Sequence, residues 1–102
     1  MRAEPVHTEL GGLLGDAVRA SRAGRLFHFI TDEHSEAIAI FGSAHRDANV
    51  EGDWYGEHAG KWLVAAARAA ARSQDEALVA RVRRVAAYLV SQQTEEGYLG
   101  TY

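Results

Sequence analysis

The run "KWLVAAARAAARSQDEALVARVRRVAAYLVSQQ", residues 61–93, limits what this chain can fold into more than any other stretch. Its first half places six alanines between Ala65 and Ala71. Alanine has the highest helix propensity and almost no side-chain bulk. A helix from Tyr55 to Arg72 is therefore expected, with Trp62, Ala66, Ala69 and Ala70 on one face. Other helices can approach such a thin cylinder on several sides, so it reads as an inner helix. The second half opens on Ser73-Gln74-Asp75-Glu76. That spacing matches a capping box, with Ser73 as the cap and Glu76 reaching back. Leu78, Val82, Val85, Ala86 and Leu89 then form one apolar stripe, with Arg81, Arg83 and Arg84 off it. The pattern predicts a one-faced outer helix over Asp75–Gln93. The link between the two helices is too short for anything but an antiparallel hairpin.

Upstream the signals are weaker. Leu10, Leu13, Leu14, Ala17, Val18 and Ser21 recur at helical spacing, which predicts a helix over Leu10–Ala23. Gly24 stands where a left-handed C-terminal cap is expected. "LFHFI" and "AIAIF" are short apolar runs, and periodicity alone does not separate strand from helix there. Gly42 and "SAHRDANVEGD" read as an exposed loop. The fold class expected is all-α.

Composition narrows the function. The chain has 102 residues, 47% apolar and 25% charged, ordinary values for one small globular domain or part of a larger one. Its net charge of −3 argues against a nucleic-acid partner, which calls for a basic stripe. It has no cysteine, so disulfides, thiolate metal sites and cysteine nucleophiles are excluded from these residues. The start "MRAEPVHTEL" lacks a signal-peptide core. No apolar run approaches the roughly 20 residues that span a bilayer. The expected location is the cytoplasm, with no membrane partner.

Motifs for chemistry are mostly absent. His7, His28, His34, His45 and His58 form no zinc-ligand spacing, and no cofactor is expected in this chain. The serines lie in no G-x-S-x-G elbow, and the glycines form no phosphate loop. Two aromatic and polar clusters remain, "GDWYGEHAGKW" and "QQTEEGYLGTY". Each has a plain structural role open to it. Asp53 caps the helix, Glu57 pairs with Lys61 one turn on, and the tryptophans pack. The second cluster stops a helix and packs a tyrosine. His28, between Phe27 and Phe29, reads as a half-buried side chain. Yet rings beside a carboxylate and an imidazole also line concave ligand sites. Antiparallel helices put the start of the first beside the end of the second. The candidate binding residues are thus Trp54, Tyr55, Glu57, His58 and Tyr98, at one end of the hairpin. Inner helix, outer helix and a polar aromatic loop at one end is the plan of an α/α toroid that binds sugar in its hollow.

The stretch from Gly52 to Tyr102 resembles the N-terminal part of the catalytic domain of the β-L-arabinofuranosidase family of glycoside hydrolases. The marks are Lys61-Trp62-Leu63 in an alanine-rich helix, an outer helix ending in Gln92-Gln93, and Gly97-Tyr98-Leu99-Gly100-Thr101-Tyr102. "GRLFHFITDEHSEAIAIF" is similar to the family's lead-in, so the resemblance covers roughly Leu10 to Tyr102. It implies a six-hairpin toroid, incomplete here, acting on terminal β-L-arabinofuranosyl or related sugars. It also implies a cysteine nucleophile beside a zinc ion held by cysteines and a glutamate. With no cysteine present, both would lie outside residues 1–102, and zinc would belong only to the full-length protein. Many members carry Asp-Ser-Asp-Val where this chain has Gly56-Glu57-His58-Ala59. A twelve-helix toroid needs several hundred residues, of which this chain would supply about a quarter. The leading expectation is an N-terminal portion of a glycoside hydrolase, inactive alone, with carbohydrate as partner of the full-length protein. The alternative is a free-standing helical interaction module. Exposed apolar faces would drive self-association of the fragment, whereas in the alternative they would meet a partner.

Overall fold

The small face of the alanine helix organises the structure. A computed structural model describes residues 9–48 and 56–101 of the chain. Among them run α1 (Gly12–Ser21), a π-helical turn (Arg22–Leu26), α2 (Glu36–Ala39), α3 (Ser43–Ala48), α4 (Gly56–Ser73) and α5 (Glu76–Ser91), with no strand. The protein is all-α over these residues. On α4, Ala59, Trp62, Ala66 and Ala70 are buried at steps of three and four. Leu78, Val85 and Leu89 of α5 meet that face, as do Ile30, Ile38, Ile40 and Phe41 of the lead-in. Small residues on one helix thus receive bulky residues from two directions. The opposite face of α4 holds Gly60, Val64, Ala67 and Ala71, all exposed.

Only Gln74 and Asp75 separate α4 from α5. Gln74 takes a left-handed backbone, φ 56°, and donates its N–H to Ala70 O at 2.9 Å. The cap of α5 differs from the expected one. Asp75, not Ser73, accepts from the amides of Ala77 (3.1 Å) and Leu78 (3.2 Å). Ser73 closes α4 instead, and its hydroxyl accepts from the Asp75 amide at 3.2 Å. Both residues are good caps. The one placed two residues nearer the apolar stripe wins, because its carboxylate faces the first free amides and the helix's positive end.

The first helix also departs from expectation. It does not stop at Gly24, whose φ is not left-handed. The chain winds on through the π-helical turn Arg22–Leu26. Its terminal carbonyls are taken by side chains of the hairpin. The Trp62 indole N–H donates to Leu26 O at 2.9 Å. Arg81 donates to Phe27 O and lies 4.0 Å over the Phe27 ring. Helix ends leave such carbonyls open, and a tertiary donor removes the need for a glycine cap. The apolar stripe of α1 faces outward: Leu13 is 85% and Leu14 67% exposed.

The two ambiguous apolar runs end up as parts of irregular chain and short helix. Thr31 to Ser35 is a turn closed by the Ser35 hydroxyl, which accepts from the Thr31 amide at 2.9 Å. Asp32 accepts from the His34 amide at 2.8 Å in an Asx-turn. Glu33 forms a two-pronged pair with Arg84 of α5, at 2.7 and 2.9 Å. Arg84 holds the Glu33 carboxyl down at a pKa of about 2. The stretch after Gly42, expected as loop, contains α3 instead. His28 is exposed rather than half-buried, its ring edge-on to Phe27.

Two outcomes follow for stability. Trp62→Ala should cost about 3–5 kcal/mol in urea unfolding, whereas Val64→Ala, on the exposed face, should stay within about 0.5 kcal/mol. A carboxyl whose pKa is depressed by folding contributes stability above its unfolded value and loses it as pH falls through the folded one. The melting-temperature gap between the native chain and Glu33→Gln should therefore close as pH falls from 4.5 to about 2. A gap unchanged across that window in thermal melts would contradict the charge pairing.

Candidate functional site

Helix length decides where the two polar clusters meet. At 1.5 Å per residue, 18-residue α4 and 16-residue α5 differ in length by only about 3 Å. The start of α4 and the end of α5 therefore fall at the same level. Gly56, the first residue of α4, marks the junction. A methyl group there would lie 3.2 Å from both Phe41 Cζ and Thr101 Cγ2. The lead-in, the inner helix and the terminal segment touch at this one point, and the absent side chain lets them.

The terminal segment has a defined shape. The Thr94 and Tyr98 backbones pair through Thr94 N–H to Tyr98 O at 2.9 Å. The Thr94 hydroxyl accepts from the Tyr98 amide at 3.0 Å. Gly97 has φ 95°, a conformation that favours glycine, and its carbonyl accepts from the Gln93 amide nitrogen at 2.8 Å. This knot holds Tyr98 at the surface, with its ring folded against Gly100. Arg46 of α3 secures it from the side. Its guanidinium donates to Phe41 O and Gln92 O, each at 3.3 Å, and lies 5.9 Å from the Tyr98 ring centroid. A cation there also meets the negative end of α5.

Glu57 and His58 lie in the first turn of α4, both exposed. Glu57 pairs with Lys61 at 2.6 Å. The hydrogen bond and charge of Lys61 hold the Glu57 carboxyl below its ordinary pKa. The His58 ring stands edge-on to Phe29, with centroids 6.4 Å apart. The Arg25 guanidinium lies over the Phe29 ring, 4.5 Å from its centroid. Trp54 and Tyr55 lie outside the described residues. Sequence reasoning did not single out Arg25, Phe29 or Arg46. Phe29 and Arg46 find partners 29 and 46 positions away, at His58 and Gln92, beyond any local pattern, and Arg25 stacks on Phe29 four residues on.

The arrangement offers rings, a carboxylate, an imidazole and guanidinium groups around the start of α4. Such groups are able to stack and to hydrogen-bond. Among the described residues, no three His, Cys, Asp or Glu side chains group closely enough to hold a metal ion. The described residues do not fit a zinc site. A separate cavity of about 380 Å³ lies at the far end of α4, lined in part by Leu10, Val18, Arg19, Arg22, Ala69 and Arg72. Its arginines sit at helix C-terminal ends, where cations are favoured, and Arg19 and Arg22 approach Asp16 and Asp75.

The family model for the β-L-arabinofuranosidase GH127 catalytic domain matches residues 13–102. The chain belongs to this glycoside hydrolase family. The match covers both polar clusters of the β-L-arabinofuranosidase-type chain and every helix from α2 onward. No curated protein and no solved structure matches it. No helix among the described residues is long and apolar enough to cross a membrane.

The Glu57–Lys61 pair is testable by titration. Followed by carboxyl-carbon NMR, the Glu57 midpoint should lie below 4.5 in the native chain and return toward 4.5 in Lys61→Gln. An unchanged midpoint would mean that the pair is not formed in solution.

Proposed function

We propose that this chain is the N-terminal, sugar-facing portion of an α/α-toroid glycoside hydrolase acting on terminal β-L-arabinofuranosyl or related sugars. In this reading Trp54, Tyr55, Glu57, His58 and Tyr98 contribute to substrate binding, and none of them performs the bond cleavage. The observation that carries it is the contact of Gly56 with Thr101 and Phe41. It draws one polar aromatic cluster to the other in a chain that belongs to a glycoside hydrolase family. The uncovered faces support the toroid. Val64 is 54% and Val90 67% exposed, and α1 turns its leucines outward. Inner and outer helices of a ring would bury such faces against neighbouring hairpins. Without those neighbours, the same surfaces favour self-association of the isolated chain.

The chemistry at the α4 start suits recognition. A sugar ring presents apolar C–H faces to aromatic rings and hydroxyls to charged side chains. Groups placed to bond hydroxyls discriminate strongly, because a substrate lacking them leaves those groups unpaired. In this reading the family's cysteine nucleophile comes from elsewhere, since residues 1–102 hold no cysteine.

Two measurements test this reading. The purified 102-residue chain should not turn over aryl β-L-arabinofuranosides, with or without zinc. Zinc-dependent turnover would refute it. In the complete enzyme, His58→Ala and Glu57→Gln should lower kcat/KM roughly ten- to a hundredfold, the cost of losing one hydrogen bond to a charged group. Their melting temperatures should hardly move. Full activity with a lowered melting temperature would instead make the cluster a helix cap.

A further inference from the structure

We infer that Arg46 is a positioning residue for the sugar site, acting through Tyr98. The inference rests on reading Tyr98 as part of a sugar-binding surface. That surface needs two distant parts of the chain held together. Phe41 of the lead-in closes against Gly56 at the α4 start, and the terminal segment carries Tyr98. The hydrogen bonds among Gln93, Thr94, Gly97 and Tyr98 fix the shape of the terminal segment. They are internal to it, so they do not set where the segment stands relative to the lead-in.

Arg46 bonds to both sides. It is half-buried, and its Nη1 donates to Phe41 O and to Gln92 O, each at 3.3 Å. Phe41 is the residue that meets Gly56, and Gln92 is the C-cap of α5, at the root of the terminal segment. The same guanidinium stands 5.9 Å from the Tyr98 ring centroid, within cation–π range. One nitrogen thus serves two carbonyls while the planar group faces the ring, a combination that suits arginine. Arg46 need not touch the sugar. A stacking ring works over a narrow range of offsets, and a displacement of about 1 Å weakens its contact. Without Arg46, Tyr98 keeps its local turn but loses its fixed distance from the α4 start. Such a ring meets substrate and transition state alike, so the loss falls on KM rather than on kcat.

Kinetics of the complete enzyme on an aryl β-L-arabinofuranoside test the inference. Arg46→Gln should raise KM roughly tenfold and leave kcat within about twofold. A merely structural role would do the reverse, lowering kcat through loss of folded enzyme at unchanged KM. Arg46→Lys keeps the charge and a donor without the planar group, so its KM should fall between. It carries the same comparison if Arg46→Gln does not fold. Tyr98→Ala should raise KM to a similar extent, and adding Arg46→Gln to it should raise KM no further, because the two residues act as one unit. If the two effects multiply, or if loss of Arg46 leaves KM unchanged, the inference is overturned while the sugar site stands. If Tyr98→Ala itself leaves KM unchanged, Tyr98 is no binding residue, and that part of the sugar site fails together with the inference.

Discussion

The indole N–H of Trp62 donating to the Leu26 carbonyl joins the two halves of this structure. The Trp62 ring is 4% exposed and sits in the middle of the alanine face. Its hydrogen bond satisfies a carbonyl that the end of the π-helical turn would leave open. The same residue therefore fills the core and stops the first helix. Arg81, one helix further on, repeats the device at Phe27. Together they hold the lead-in across the hairpin, so that Ile30, Ile38, Ile40 and Phe41 fall onto α4 and α5. Take away the bulk of Trp62 and the small alanines around it have too little surface to replace it.

The arrangement at the start of α4 depends on that docking. Phe41 reaches Gly56 only because the lead-in is fixed, and Phe29 reaches His58 for the same reason. The α4 start gathers side chains from four segments: Arg25 and Phe29, Phe41 and Arg46, Glu57 and His58, and Tyr98 with Thr101. No single helix could present that mixture. The bland alanine helix and its well-equipped first turn are complementary. The thin body allows close packing, and the packing fixes neighbours around the mouth.

Much of the hairpin was legible because its signals are local. Trp62, Ala66 and Ala70 share a face by spacing alone, as do Leu78, Val85 and Leu89, and all six are buried. The family resemblance rested on the same region. Other features were not legible. Ser73 and Asp75 are both cap-type residues, and sequence spacing favoured the one that the chain does not use. Gly24 looked like a stop, but side chains from residues 62 and 81 supply the termination instead. The α1 stripe was read correctly as helical, yet amphipathicity does not say whether a partner face is present. Candidate residues near Gly56 came from local composition, whereas Arg25 and Phe29 join them only through tertiary contact.

The central claim is that the start of α4 and the terminal segment form one surface. A nuclear Overhauser experiment on the 102-residue chain tests it most directly, because it reads proton pairs closer than about 5 Å. The account predicts cross-peaks from the Gly56 α-protons to the Thr101 methyl and to the Phe41 ring, whose heavy atoms lie 3.2 Å from where a Gly56 side chain would begin. Absence of both cross-peaks, with those between Ala66 or Ala70 and the residues of α5 intact, would contradict it. The hairpin would then stand, but the two clusters would not share a site.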